Sequence, residues 1–145
     1  MKKLFGFLLV VGLISTAFVS KEKESSKFIM KEGIEFKRSS FEDALKEAQK
    51  TGKLVFIDAY TDWCGPCKKM AATSFMDEEV AKLYNSKFIN LKVEMEKSAD
   101  GPLIAQKYSV SAYPSLLFIN GSGKVVKYSV GYQTAEQLLA IGKSL

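Results

Sequence analysis

The chain reads as an α/β fold, a mixed central sheet with helices on both faces, and three observations lead to that reading. The apolar run Leu54-Val55-Phe56-Ile57 is followed by a helix-forming segment from Lys68 to Ala72. Strand-like alternation returns at Phe88 to Val93. Finally, Ser115 to Ile119 is joined to a returning strand, Lys124 to Val130, by Asn120-Gly121-Ser122-Gly123, a tight hairpin turn. A strand-helix-strand start that ends in an antiparallel hairpin requires strands of both directions in one sheet.

The 145 residues suit one domain, and an apolar fraction of 47% is enough for a core. The formal charge of +5 falls to +3 if Lys2 and Lys3 are removed with a leader. The lysines are scattered among acids with no basic stripe, so nucleic acid is not expected as a partner; a monomer is the expected state. The chain has no histidine, which excludes a Ser-His-Asp triad, a Cys-His pair and a His-ligated zinc. Its two cysteines cannot close a four-thiolate site, and no metal is assigned. One possible bridge is no disulfide framework, so the pair is read as chemistry.

Met1-Lys2-Lys3, the apolar stretch Leu4 to Ile14 and the small residues Ser15-Thr16-Ala17 form a signal-peptide pattern with a cut after Ala17. An uncleaved membrane anchor is the alternative, although Leu4 to Val19 is short of the ~20 residues that span a bilayer. Residues 18–27 read as a flexible lead-in and 28–145 as the domain. Ile34 and Phe36 alternate with Glu35 and Lys37 as in a short strand. Ser39 to Glu42 fits a capping box with Ser39 as the cap, opening a helix whose Phe41, Ala44, Leu45 and Ala48 share one face and which stops at Thr51-Gly52.

Leu54 to Tyr60 is the central strand, apolar enough to be covered on both sides but interrupted by Asp58. That carboxylate is either solvent-facing at the strand end or a buried acid with a raised pKa. Asp77 is a plausible N-cap for a helix over Glu78 to Leu83. Phe88 to Val93 alternates apolar residues with Asn90 and Lys92 as a second core strand, and the local pattern leaves open whether the lysine is an ordinary exposed one. Pro102 fits the first turn of a helix to Tyr108. Thr134 to Gln137 is a second capping box, with Leu138, Leu139 and Ile141 in its helix.

Chemistry concentrates in Trp63-Cys64-Gly65-Pro66-Cys67-Lys68. A Cys-x-x-Cys between strand and helix places the first sulfur over a helix N-terminus, where unpaired N–H groups and the dipole favour a thiolate. Cys64 is then expected to be exposed and attacking, and Cys67 more buried and resolving. The neighbouring charges, Asp62 and Lys68, have opposite signs. Tyr113-Pro114 precedes the Ser115 strand, and on residue statistics alone its peptide bond would be trans.

Trp63 to Lys68, with Asp58 six residues before the first cysteine and Ala112-Tyr113-Pro114-Ser115 downstream, resembles the thioredoxin family over roughly Lys53 to Leu145. Gly52 to Asp58, Thr73-Ser74-Phe75, Asp77 and Val80 are most similar to its exported members, including the C-terminal domain of transmembrane thiol:disulfide interchange proteins. The resemblance implies the thioredoxin fold and catalytic roles for Cys64, Cys67 and Asp58, the last a buried acid behind Cys67. It implies that Lys92 neighbours the acid, that Pro114 is cis beside the cysteines, and that Gly131, otherwise a bland turn glycine, keeps a substrate groove open. Trp63, Gly65, Pro66 and Tyr113 belong to the same motif and groove. Two residues depart from the usual pattern: Tyr60 replaces a tryptophan and Tyr113 an isoleucine, which alters the groove wall.

The implied function is thiol:disulfide oxidoreduction, with Gly65-Pro66 resembling reducing members and no cofactor beyond the redox-active Cys64-Cys67 disulfide. Client protein disulfides are the expected substrates, outside the cytoplasm and most simply in a periplasm, with a membrane thiol relay as electron donor. A copper carrier using Cys64 and Cys67, or a chaperone that uses the groove without turnover, are the rival readings.

Overall fold

The structure, a computed structural model, describes residues 33–145. The leader, the anchor alternative, the lead-in and the expected start of order at Phe28 lie outside the described residues. Ten elements follow in order: α1 (Phe41–Thr51), β1 (Leu54–Tyr60), α2 (Gly65–Ala72), a 3-10 turn (Ser74–Met76), α3 (Glu78–Lys87), β2 (Phe88–Glu94), α4 (Gly101–Tyr108), β3 (Ser115–Ile119), β4 (Val125–Val130) and α5 (Ala135–Ser144). The sheet order is β2-β1-β3-β4, with β1 parallel to β2 and antiparallel to β3, and β3 antiparallel to β4. This is the mixed sheet that the sequence predicts, in the thioredoxin arrangement.

The alternation of side chains along each strand builds two cores. Val55, Ile57 and Ala59 join Ile89, Leu91, Val93, Leu117 and Ile119 beneath α1 and α4, through Ala44, Ala48 and Ile104. Phe56 joins Phe88, Leu116 and Phe118 on the other face, under Met70 of α2, Val80 and Tyr84 of α3, and Leu138 of α5. Phe56 meets Tyr84 edge-on and stacks on Phe118, with centroids 4.9 and 5.0 Å apart. The fully buried Tyr84 also donates its hydroxyl to the Leu138 carbonyl at 3.0 Å, which fastens α3 to α5.

Several expectations are corrected here. The N-cap of α1 is Ser40, not Ser39: its hydroxyl accepts from Asp43 N–H at 3.1 Å, while Asp100 Oδ2 accepts from Phe41 N–H at 2.8 Å. Residues Ile34 to Lys37 do not form a strand. They make one bridge, Lys37 to Leu91, on the outer edge of β2, because asparagine side chains and the Phe75 carbonyl take other backbone groups of the segment. Asn85 accepts from Glu35 N–H at 2.9 Å and donates to the Gly33 carbonyl, and Asn90 donates to the Glu35 carbonyl. Asn90 is therefore buried beneath this strap. Helix α3 runs to Lys87, a turn beyond the expected end, after starting at Asp77, whose Oδ1 accepts from Glu79 and Val80 N–H. The second capping box forms with Thr134 and Gln137.

Close packing and one hydroxyl bond make different contributions around Tyr84. Phe118→Ala should lose about 3–5 kcal/mol of stability and Tyr84→Phe only about 1 kcal/mol, as read by urea unfolding. Equal losses would mean that the Leu138 bond, and not ring packing, anchors this core.

Candidate active site

The strand β1 ends at Tyr60, and four residues later Cys64 becomes the N-cap of α2. Gly65 and Pro66 occupy the first two helical positions, where a missing proline N–H costs nothing. Cys64 and Cys67 are joined as a disulfide, and Cys64 Sγ accepts from Cys67 N–H at 3.2 Å. Both cysteines are 2% exposed. Cys64 is thus less accessible than expected, because as a disulfide its sulfur is folded onto the first helical turn. The helix nevertheless points its unpaired N–H groups at this sulfur, an arrangement that stabilises a thiolate once the bond is reduced.

Asp58 has the parity of Phe56, so its carboxylate lies on the α2 face of the sheet, fully buried. Lys92 is its register partner on β2, and Lys92 Nζ donates to Asp58 Oδ2 in a short ion pair. Of the two readings open for Lys92, the exposed lysine and the neighbour of the acid that the resemblance implies, the second matches the structure: pairing across β1 and β2 sets it on Asp58. Burial pushes the Asp58 pKa up and Lys92 opposes this, with burial the larger effect. Asp58 Oδ1 is buried with no hydrogen-bond partner among the described residues, which leaves it free to take a proton. A cavity of about 100 Å³ is lined by Tyr60, Thr61, Asp62, Cys67, Lys68, Ala71 and Lys92. Cys67 and Lys92, the lysine bonded to Asp58, therefore meet the same small space.

The groove side is built by β3 and its approach. The Tyr113–Pro114 peptide bond is cis, and the buried Pro114 directly precedes Ser115 of β3. Gly131, at φ +88°, donates its N–H to the Pro114 carbonyl at 2.8 Å, and nothing lies within 4 Å of where its Cβ would stand. A side chain there would be strained and would project into open space. Trp63 is 66% exposed and meets the Tyr113 ring edge-on at 5.9 Å. The sequence-derived residues beyond the cysteine turn thus fall into linked sets: Tyr113 with Trp63, Gly131 with Pro114, and Asp58 with Lys92, whose side chain lines the same cavity as Cys67.

Three residues without a role in the sequence reading, Glu94, Glu96 and Lys97, hold the Trp63 loop. Trp63 Nε1 donates to Glu96 at 3.1 Å, and the Glu94 carboxylate accepts from the N–H groups of Glu96 and Lys97. Lys97 in turn pairs with Asp62 at 2.8 Å, so the acid beside the motif is met by a cation. The alternation of acids at Glu94 and Glu96 was the available signal, but it lay in a stretch with no regular periodicity. Among the described residues, no group of three or more His, Cys, Asp or Glu could hold a metal.

Comparison with known proteins agrees with this geometry. The family model for the thioredoxin-like domain matches residues 41–145. Over 110 residues the chain is 32% identical to the thiol:disulfide interchange protein DsbD of Colwellia psychrerythraea, a match that takes in 74% of this chain and 18% of that protein. Thioredoxin-T of Drosophila melanogaster is 40% identical over 79 residues, 54% of this chain and 46% of its own length. The chain therefore spans less than half the length of both. A solution structure from Bacteroides thetaiotaomicron, described as a candidate disulphide-isomerase, is 48% identical and superposes with a TM-score of 0.66 over 75% of this chain and 90% of that one. The oxidised C-terminal domain of Neisseria meningitidis DsbD shares the fold at 21% identity, with a TM-score of 0.60. With the family matched across well over half of its residues and the cysteine pair in place, this chain belongs to the thioredoxin-like disulfide oxidoreductases.

Proposed function

We propose that the protein reduces client protein disulfides by dithiol exchange through Cys64 and Cys67. The observation that supports this most directly is the Cys64–Cys67 disulfide on the N-terminus of α2, with the second cysteine on the same cavity as Lys92, the lysine bonded to Asp58. In the reduced protein, the Cys64 thiolate attacks one sulfur of a client disulfide. A bond forms between Cys64 and that sulfur, and the other client sulfur leaves as a thiolate that takes up a proton. Cys67 then loses its proton toward Asp58 and attacks Cys64 Sγ. The Cys64–Cys67 bond re-forms and the second client sulfur departs, so two electrons have passed to the client. Trp63, Tyr113 and Pro114 form the wall against which the client lies, and Gly131 leaves that wall clear.

Return to the dithiol requires a second dithiol as reductant. For a protein exported by the leader pattern at residues 1–17, with the domain from residue 28, a membrane thiol relay is the fitting donor and the periplasm the fitting compartment. Gly65-Pro66 supports the reducing direction. The test is the reduction potential: a value near about −270 mV is expected, against about −180 mV for isomerases. A potential above the latter would replace the reductase reading with an isomerase or oxidase one.

The order of attack follows from position. Cys64 caps the helix and Cys67 sits one turn inside it, so in the reduced protein Cys64 should alkylate faster, with a pKa below the free value of about 8.5. The Cys67→Ala variant should accumulate mixed disulfides on Cys64. Faster alkylation of Cys67 would reverse the assignment.

Asp58 gives a pH-dependent prediction. Its folded pKa lies above the unfolded value, so its destabilising effect is absent below the unfolded pKa and grows as pH rises through the folded one. Asp58→Asn should therefore slow turnover at neutral pH, by about 10²-fold if the acid moves the Cys67 proton. It should also raise stability at pH 7, with the gain vanishing near pH 3. A stability gain that persists in acid, with turnover intact, would remove Asp58 from the mechanism.

A further inference from the structure

Lys92 is held by more than its ion pair. Its ammonium lies 4.3 Å from the centre of the Tyr60 ring and 5.7 Å from each of the Phe36 and Phe75 rings. The three rings come from three separate parts of the chain: the end of β1, the strap before α1 and the 3-10 turn after α2. All lie within the range over which a ring face attracts a cation. The Lys92 side chain is still 28% exposed, so nothing but these neighbours keeps it from turning toward water.

Phe36 reaches this position because the strap is fixed along its length. Ile34 N–H donates to the Phe75 carbonyl at 2.8 Å, and Lys37 N–H to the Asn90 carbonyl at 2.9 Å. Asn85 and Asn90 hold the backbone at Gly33 and Glu35 between those two points. The Phe36 ring then packs on Phe75 at 5.5 Å and Phe56 at 6.3 Å. An edge-covering segment would need only a small apolar side chain here; an aromatic one closes a cage around the cation.

We propose that Phe36 is a positioning residue for the reaction: delivered by the strap, it completes with Tyr60 and Phe75 an aromatic enclosure that keeps the Lys92 ammonium on Asp58, and so governs proton removal from Cys67. This rests on the dithiol-exchange reading above. No new bond is made by Phe36; the proton still moves from the Cys67 thiol to Asp58 as the Cys64–Cys67 bond forms.

The charged and titratable groups around the pair are few. Asp58 and Tyr60 face it from β1 and Glu94 stands at the end of β2, while Asp62 and Lys68 line the same cavity from the loop and from α2. Glu35 of the strap is exposed and Lys37 is engaged by Glu47. Tyr84 of α3, beyond Phe56, is committed to the Leu138 carbonyl. Lys92 is therefore the cation bonded to Asp58, and loosening it makes the ionised carboxylate less favourable.

Two substitutions separate the ring from its bulk. Phe36→Leu keeps an apolar cover without a ring face, and Phe36→Tyr keeps the face. In the oxidised protein, where neither cysteine titrates, carboxyl-carbon NMR on labelled aspartate, assigned against Asp58→Asn, follows Asp58 alone. Phe36→Leu should raise its midpoint by about half a unit, and Phe36→Tyr should leave it within about 0.2 unit of the parent. In the reduced protein, the pH midpoint of the resolving step should move in the same direction, with the rate at high pH unchanged. An unmoved or lowered Asp58 midpoint in Phe36→Leu overturns the proposal, a lowered one meaning that Phe36 serves only to exclude water. A parent that fails to exchange disulfides would instead sink the functional reading, and the NMR midpoint would still report whether Phe36 couples to Asp58.

Discussion

A carboxylate in the middle of a strand covered on both faces is the constraint around which this structure is arranged. Asp58 cannot be solvated where it stands, and a buried charge without a partner is costly. The parallel register between β1 and β2 answers this by setting Lys92 opposite it, on the same face. Everything that touches the pair is then specified by that choice: the parity that sends Val55, Ile57 and Ala59 to the other core, the position of Tyr60 over the ammonium, and the small cavity that Cys67 shares with Lys92. The ion pair is incomplete, since one oxygen of Asp58 has no partner among the described residues. A fully satisfied carboxylate would be a better structural element and a poorer proton acceptor.

Much of this was legible from the residues. The cysteine spacing, the apolar run before it and the helix formers after it specified the junction, because strand, cap and helix each leave a local mark. The cap at Asp77 and the box at Thr134 were readable for the same reason. Lys92 was readable only through the family resemblance, because a lysine in an alternating strand has the same local pattern whether it meets water or a buried acid. Its partner lies 34 residues away and is fixed only by register. The burial of Asn90 was not readable for a related reason: alternation marks the faces of a strand but does not say whether another segment covers the polar one. The strap hid itself by looking like a strand, although its backbone groups are satisfied chiefly by asparagine side chains.

The stretch from Glu94 to Asp100 shows where local reading stops. It has no period, yet it ties down the exposed Trp63 through Glu96 and meets Asp62 through Lys97. It is also packed closely against the next helix. A Cβ on Gly101 would fall 2.2 Å from the Glu94 carbonyl oxygen, so α4 can begin where it does only without a side chain. The position of an exposed tryptophan is thus linked, through one turn of backbone, to a glycine on the far side of the loop.

The sheet has two outer strands, and each edge is guarded differently. Along β4, Lys124 and Lys127 are exposed beside Val126 and Val130, and charge on an outer strand discourages another chain from pairing with it. Beside β2 the guard is the strap itself, which occupies backbone groups at Asn90 that would otherwise be open. The same few residues that bring Phe36 to Lys92 therefore also stand between β2 and any neighbouring molecule. Loss of the strap would turn a solution property, the tendency of the folded protein to associate edge to edge, into a consequence of the same residues that shape the chemistry.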